Sequence, residues 1–535
     1  MDSFLIDVNI LLDAIFKRDI KSIVVIEKLI DLGKELYITA SMIPTLDYFL
    51  KKHKTNKDKF KEIFLGSFKV ITSTGKEGGD AIGFTDGEDA LIALSFKRIC
   101  PRGVIVTKDS SFESFGLSVY TPDKLLPFLE DRTSKKNLQI PMLDLQAEYR
   151  YMLEDIDHAI LNTVAETKYI LGPQVKELEQ KVAAYIGVKH CIGVSSGTDA
   201  LVLSLRALAI KLKGEEYFDR SDRIITTPFT FTATGDAILR SGATPVFVDI
   251  SPTTYNLDEK KVRKLFKSKS QDQKSKIVGI LPVHLYGQSC EMDEIMNIAK
   301  EHNLFVVEDV AQAFGGTWNG KKLGSIGDAG TFSFFPSKNL GGFGDGGMIS
   351  TNDDQTSGLI RMLLKHGGKD KYNVDHIGYN ARLDTLHAAI LLAKFKNIDE
   401  FNERRQKIAE IYNQELSGIE EITIPVNNVR HLNDSTSTIP NGHVYHQYTI
   451  NVKNGKRDEL QKYLKEEGIC TMIYYPVPLH KMKVFGNRSR EIGELGVSDQ
   501  VVNDVMSLPI EPLQEEKDTM FITAKIKDFF TKQGR

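Results

Sequence analysis

LFVVEDVAQAFGGTWNGKKLGSIGDAGTFSFFPSKNLGGFGDGGMIST, residues 304–351, carries two short apolar runs that each end in chemically active side chains. The runs 304–308 and 331–335 are rich in Val and Phe and bounded by turn residues, the pattern of buried strands. The first leads into Glu308-Asp309, the second into Pro336-Ser337-Lys338-Asn339. In an open parallel sheet, ligands bind in the crevice beyond the carboxyl ends of the strands. The pattern therefore sets a carboxylate and an amine at two such ends. Either residue alone is more simply a solvated loop group, so the rest of the chain has to decide.

A carboxylate and an amine on separate strand ends of one sheet are the pair a pyridoxal phosphate enzyme needs. The lysine forms an imine with the aldehyde and later shuttles the proton, while the aspartate keeps the pyridinium nitrogen protonated. Two companion segments favour that chemistry. In HCIGVSSGTDALVLSLRAL, residues 190–208, a strand runs into Ser195-Ser196-Gly197-Thr198 and then a helix with Leu201, Leu205 and Leu208 on one face. Small residues at a helix start expose backbone N–H groups, and the helix dipole favours an anion there; the simpler reading is an N-cap. In TTPFTFTATGDAILRSGATPVFVDI, residues 226–250, Phe229 and Phe231 lie in a Thr-rich turn, where an aromatic can lie flat on a cofactor ring or pack in the core. Gly342, Gly344 and Gly347 spell G-x-G-x-x-G, but they follow a turn and lead into the strand-like Met348-Ile349-Ser350-Thr351. A dinucleotide fingerprint opens a helix, so these glycines are assigned to tight turns beside the lysine.

The same β–α rhythm extends through the chain. Strands are expected at 190–194, 223–227, 245–249, 277–283, 304–308, 331–335 and 444–452, and two polar insertions, 211–222 and 427–442, are expected to be surface loops. The polar run EDRTSKKNLQ, residues 130–139, separates this region from an N-terminal segment with its own short strands at 4–8, 35–39 and 103–107. Three regions follow: 1–133, 138–385 and 386–535, all α/β. The 535 residues are 41% hydrophobic and 26% charged, which excludes wholesale disorder, collagen and coiled coil. A net charge of -3 gives no global electrostatic reason to bind nucleic acid or a membrane surface. No run approaches the roughly 20 apolar residues that span a bilayer, and Asp2, Asp7 and Asp13 interrupt the N-terminus, so it does not read as a signal peptide. Four scattered cysteines form no C-x-x-C pair. A reduced, cytoplasmic protein is the expectation.

Within residues 1–133, Asp7, Asp89 and Asp109 stand at strand or helix ends, in FLIDVN, FTDGEDALIAL and TKDSSF. Three such carboxylates could hold Mg²⁺ or Mn²⁺ and activate water against a phosphodiester, or could be ordinary capping and loop acids.

Over residues 138–530 the chain resembles the DegT/DnrJ-type sugar aminotransferases, pyridoxal phosphate enzymes of transferase fold type I. That fold has a large α/β domain with a mixed, mainly parallel sheet and a small C-terminal α/β domain. The motifs that carry the resemblance are IPMLDLQAEY, YILGPQVKELEQKVAAYIGVKHCIGVSSGTDAL, PVHLYGQSCEMDEI, EDVAQAFGG, FSFFPSKNLGGFGDGG, IGYNARLDTLHAAIL and YYPVPLHK, in that order. The resemblance implies that Lys338 is the Schiff-base lysine, Asp309 the partner of the pyridine nitrogen and Gln312 the neighbour of the phenolic oxygen. It further implies that Gly197, Thr198 and Ser333 hold the phosphate, that Phe231 stacks on the ring, and that Asn380 reaches the phosphate from a neighbouring subunit of a homodimer. Tyr475 and His480 fall in a segment near the sugar nucleotide in relatives. Some relatives replace the lysine by histidine and become dehydratases; this chain keeps lysine. The implied reaction moves an amino group from glutamate to a nucleotide-linked keto-sugar, at C3 or C4, for amino-sugar and polysaccharide biosynthesis.

Residues 3–130 resemble the PIN family, metal-dependent ribonucleases with a three-layer α/β fold, through DVNILLDAIFKR, DGEDAL, IVTKDSSF and TPDKLLPFL. The resemblance implies that Asp7, Asn9, Asp89 and Asp109 lie at the metal site, with Asp86 as an extra ligand. ASMIPTLDYFL departs from the pattern: Thr45 takes the place of a usual acid, and Asp47 would be turned about 200° from it around a helix. Nuclease, RNA-binding and docking roles stay open for this module. So does an RNA-directed protein whose aminotransferase half serves as sensor or scaffold.

Overall fold

The computed structural model describes residues 3–6, 29, 35–39, 68–71, 104–106, 118–120, 140–267, 276–370, 372–426 and 442–533. The chain divides into two compact units, Met1–Leu138 and Gln139–Arg535.

In the first unit, β1 (Ser3–Ile6), β2 (Glu35–Thr39), β3 (Phe68–Ile71), β4 (Val104–Val106) and β5 (Ser118–Tyr120) form one sheet in the order β3-β2-β1-β4-β5. Every neighbouring pair is parallel. The three strands expected here are present, at Ser3–Ile6, Glu35–Thr39 and Val104–Val106. Asp7, Asn9, Thr45, Asp47, Asp86, Asp89 and Asp109 lie outside the described residues.

The second unit is built on an eight-stranded sheet. Its strands are β6 (His190–Val194), β7 (Arg223–Thr226), β8 (Thr244–Val248), β9 (Ile277–Ile280), β10 (Phe305–Asp309), β11 (Ala329–Ser333), β12 (Gly347–Thr351) and β15 (Arg490–Ile492), in the order β15-β8-β7-β9-β10-β11-β12-β6. Pairs from β15 to β11 are parallel, and β12 runs antiparallel to both its neighbours. A smaller antiparallel sheet joins β13 (Ile422–Thr423), β14 (Tyr448–Val452) and β16 (Val505–Leu508). Helices Ile398–Leu416, Arg457–Glu466 and Glu516–Gln533 cover it, with Ile450, Leu460, Met506 and Ile522 in its core. The sheet edge is closed from the far end of the chain: Arg490–Ile492 lies within 386–535 yet pairs with β8 of the large sheet.

Local chemistry accounts for the helix that fronts the site. Helix Gly197–Lys213 starts where the Ser196 hydroxyl accepts from Asp199 N at 3.0 Å and stops at Gly214, whose φ of 70° a residue with a side chain rarely adopts. Leu201, Leu205 and Leu208 are buried as expected, but so are Val202, Leu203 and Arg206 on the other faces. The helix packs on strands at one side and on helices Thr232–Arg240 and Asp354–Leu363 at the other, so it is enclosed all round. Residues 211–213 of the expected loop 211–222 continue this helix.

Two strand ends move relative to the sequence reading. The strand read at 331–335 spans Ala329–Ser333, because Phe335 N leaves the ladder and donates to Ser333 Oγ at 3.3 Å. The strand read at 444–452 begins at Tyr448, because Val444 N and Gln447 N donate to Gly287 O and Tyr286 O. Gly342 and Gly344 sit in the turn before β12, which Gly347 opens, and no helix follows them. A Cβ on Gly342 would fall 1.8 Å from His387 Nε2, so close approach explains that glycine.

Candidate active site

β7, β9, β10 and β11 are successive parallel neighbours in the sheet, so their carboxyl ends lie side by side. Asp309, the last residue of β10, is buried. Its carboxylate accepts from the Thr234 hydroxyl at 3.0 Å and from Ala311 N at 3.2 Å. Burial pushes its pKa up, and those two bonds and the nearby charge of Lys338 pull it back only in part. Lys338 stands in the turn after β11, tied by its backbone N–H to Phe335 O at 2.8 Å. Loss of water around its ammonium pushes its pKa down to about 8, against the attraction of Asp309. The acid and the amine thus lie within electrostatic reach of each other, each shifted toward its neutral form.

Gln312 lies one turn beyond Asp309 and is held at both ends. Its side-chain oxygen accepts from Tyr286 N at 2.8 Å, and its amide donates to the Tyr475 hydroxyl at 2.8 Å. Burial pushes the Tyr475 phenol up, and the Asp309 charge adds to the shift. Gly197 opens its helix against Ser333 at the end of β11: a Cβ on Gly197 would lie 2.7 Å from Ser333 Cβ. Thr198, next along, is half-buried. Phe229 is a core residue, with no exposed surface, whereas Phe231 is 57% exposed and lies 6.2 Å from the Tyr475 ring.

The structure therefore brings Asp309, Lys338, Gln312, Tyr475 and Phe231 together, with Gly197, Thr198 and Ser333 at the neighbouring strand end. Asn380 is exposed, in a segment that bridges Lys365. His480 pairs instead with Asp499 at 2.9 Å. Among the described residues, no cluster of His, Cys, Asp or Glu could hold a metal ion, and no helix is long and apolar enough to cross a membrane.

Several participants were not legible in the sequence. Thr234 holds Asp309 from 75 residues away. Asn339, beside the lysine, donates to Asn402 Oδ1 at 2.7 Å and Val444 O at 3.1 Å, clamping the lysine turn to the segment that carries His446. His446 is buried, with Nδ1 free of any partner among the described residues. Burial and the charge of Lys338 both push its pKa well down. Glu308 was visible beside Asp309, but it faces the opposite way, into a fully buried pair with His284.

Residues 151–527 match the model of the DegT/DnrJ/EryC1/StrS aminotransferase family. The chain is 41% identical over 394 residues to the "Pleiotropic regulatory protein" of Geobacillus stearothermophilus, covering 74% of this chain and 99% of that one. It is 39% identical over 385 residues to a UDP-N-acetyl-3-dehydro-alpha-D-glucosamine 3-aminotransferase of Acidithiobacillus ferrooxidans, covering 71% and 96%. DesV of S. venezuelae, solved in complex with a ketimine intermediate, superposes with a TM-score of 0.65 at 34% identity, covering 73% of this chain and 98% of that one. The chain belongs to the DegT/DnrJ/EryC1/StrS aminotransferase family. Its large mixed, mainly parallel sheet is the one that fold class requires.

Proposed function

We propose that this chain moves an amino group from glutamate to the 3-keto carbon of a nucleotide-linked sugar, with pyridoxal phosphate bound in the crevice and two copies sharing their sites. The observation that carries the reading is the placement of Lys338, in the turn after β11, within electrostatic reach of the buried carboxylate of Asp309 at the end of the neighbouring strand β10. The 3-position is favoured by the 39%-identical relative, which is named for amination there.

The residues fit the cofactor. Asp309 has spare acceptor capacity in a dry site, which suits a ring N–H⁺. The missing Cβ of Gly197 leaves a cradle at a helix N-terminus, beside the Ser333 and Thr198 hydroxyls, which suits a phosphate. Phe231 offers an uncovered aromatic face, and His446 an unpartnered ring nitrogen. When bound, pyridoxal phosphate supplies an aldehyde that captures amines and a ring that accepts electrons. Asp309 would hold the proton on the ring nitrogen, and Gln312, fixed by Tyr286 and Tyr475, would serve the phenolic oxygen. Lys338, as a neutral amine, would take the proton from Cα of the amino donor and pass it to the cofactor. Asn380 of a second copy reaches the phosphate, and exposed Ile170, Tyr372, Val374 and Ile377 supply apolar surface for that copy to cover. Tyr475 and His480 flank the path to the sugar.

The test is spectroscopic and mutational. Purified protein should absorb visible light, and borohydride should fix a pyridoxyl group on Lys338. Lys338→Ala should fold, lack the adduct and fail to aminate; retained turnover would remove Lys338 from its role. A screen of 3- and 4-keto nucleotide sugars with glutamate, read by mass, identifies the acceptor.

For residues 1–133 the reading is a PIN-like module with Asp7, Asp89 and Asp109 as candidate ligands for Mg²⁺ or Mn²⁺ and an acidic set left incomplete by Thr45, so that nuclease, RNA-binding and docking roles stay open. It is supported by the all-parallel five-stranded sheet, in which β1 and β4, the strands that precede Asp7 and Asp109, are neighbours. Full-length protein incubated with RNA and Mn²⁺, against an Asp7→Asn control, decides among them: cleavage by the wild type alone establishes a nuclease. Equal inertness ends the nuclease reading and leaves a docking or RNA-binding role.

A further inference from the structure

Arg206 sits at the back of helix Gly197–Lys213 with no exposed surface, a placement an arginine tolerates only when its donors are answered. They are answered from two other segments. Nη2 donates to Glu216 Oε2 at 2.8 Å and to Ile377 O at 2.9 Å, Nη1 to the Tyr379 hydroxyl at 2.8 Å, and Nε to Glu216 O. The guanidinium lies 3.7 Å from the centre of the Tyr217 ring. Glu216 binds the same target a second way: His376 Nδ1 lies 2.7 Å from its Oε1, and Ile377 N donates to Oε2 at 3.3 Å.

This cluster joins the polar insertion after the helix to residues 376–379, and the next residue is Asn380. The loop that ends there has a tight neck. A Cβ on Gly367 would fall 1.7 Å from His376 O, and one on Gly378 would fall 2.1 Å from Gly367 N. Beyond the neck, Tyr372, Val374 and Ile377 are exposed and make no apolar core of their own. A side chain that must act on another copy has to be held within about 0.5 Å by its own subunit. The guanidinium–carboxylate cluster is the only buried charged anchor on this stretch among the described residues.

We propose that Arg206 and Glu216 are positioning residues of the active site: they fix residues 376–379 so that Asn380 is presented to the cofactor phosphate of a second copy. The proposal rests on the shared-site reading above. It gives the insertion a task, since Glu216 and Tyr217 both come from it.

The test measures pyridoxal phosphate affinity by absorbance titration of the apo protein, without reference to turnover. Glu216→Gln, at a half-exposed position, should keep the wild-type circular dichroism and raise the dissociation constant about tenfold, the effect of losing a charge-assisted bond. Arg206→Met should do the same or more. Mixed dimers then separate action in trans from local damage. One copy carries Glu216→Gln and the other Lys338→Ala, so the only lysine-bearing site is served by the intact loop of the Lys338→Ala copy. Wild-type affinity at that site is expected. An unchanged constant in the Glu216→Gln homodimer, while Asn380→Ala weakens binding, overturns the proposal alone. So does a mixed dimer as weak as the Glu216→Gln homodimer. If Asn380→Ala itself binds as tightly as wild type, the shared-site reading fails and the proposal with it.

Discussion

Gln312 ties Tyr286 to Tyr475: its side-chain oxygen accepts from the Tyr286 backbone and its amide donates to the Tyr475 hydroxyl, both at 2.8 Å. One amide thus joins the turn after β9 to the segment 474–481, which arrives from far along the chain. Its orientation is fixed by the backbone N–H, which only the side-chain oxygen can accept. Tyr475→Phe leaves the amide N–H without that partner in a largely dry site, a loss of about 1–3 kcal/mol. The expected result is a fall of about tenfold or more in kcat/KM for the keto-sugar, together with a drop of a few degrees in melting temperature. Steady-state kinetics on the variant check it.

The amine of Lys338 supplies a pH signature. Its pKa is pushed down to about 8, against about 10.4 for a free lysine. Only the neutral amine attacks an aldehyde. In the apo protein the rate of pyridoxal phosphate capture should therefore rise with pH and level off above about 8, well below the pH at which a surface lysine would saturate. Stopped-flow absorbance between pH 6 and 10 reads the midpoint. A rate still climbing steeply at pH 10 would contradict the depressed value.

At Gly197 the constraint is steric. A Cβ at Gly197 would lie 2.7 Å from Ser333 Cβ and 3.2 Å from Ser333 Oγ, and neither the helix start nor the strand end is free to retreat. Gly197→Ala should cost about 1–3 kcal/mol of stability through overpacking. It should also weaken pyridoxal phosphate and free phosphate binding together, since both would use the same space. Denaturant melts and competition titrations check the two effects separately.

The strands and the two reactive ends were legible because they depend on local pattern. Apolar runs broken by turn residues mark β10 and β11, and Asp309 and Lys338 follow them in the chain. What the pattern does not carry is the order of strands in the sheet. Thr234 meets Asp309 only because β7 and β10 flank β9, a relationship spread over 75 residues. Phe229 and Phe231 have the same parity and share Thr230 between them, yet one is core and the other exposed, because the turn between β7 and the next helix reverses their surroundings. Glu216 falls in the insertion 211–222 expected as a surface loop, and nothing in the local pattern links it to Arg206. Their pairing needs the tertiary fold, which brings residues 376–379 to both.

Behind Asp309, on the other side of the backbone, Glu308 tests how the strand end is held. Its carboxylate accepts from Gly324 N, Ile326 N and Gly327 N at 2.8–2.9 Å, and from His284 Nε2 at 3.1 Å. His284 Nδ1 accepts from Cys290 N at 3.1 Å, so the ring proton sits on Nε2 and points at the acid. Burial alone would push Glu308 up, but His284 and the backbone donors hold it below the ordinary glutamate value. A depressed folded pKa means the group stabilises the fold fully above about pH 4.3, the unfolded value, and loses that contribution as pH falls through the folded one. Glu308→Ala removes the acceptor from four buried donors and should cost about 3–5 kcal/mol, loosening the 324–327 turn that leads into β11 and so the placing of Ser333 and Lys338. Urea unfolding at pH 7 and at pH 4 reads both parts. The variant should unfold at much lower urea at pH 7, and the gap to wild type should narrow in acid. Equal midpoints at pH 7 would show that the buried carboxylate does not hold the strand end.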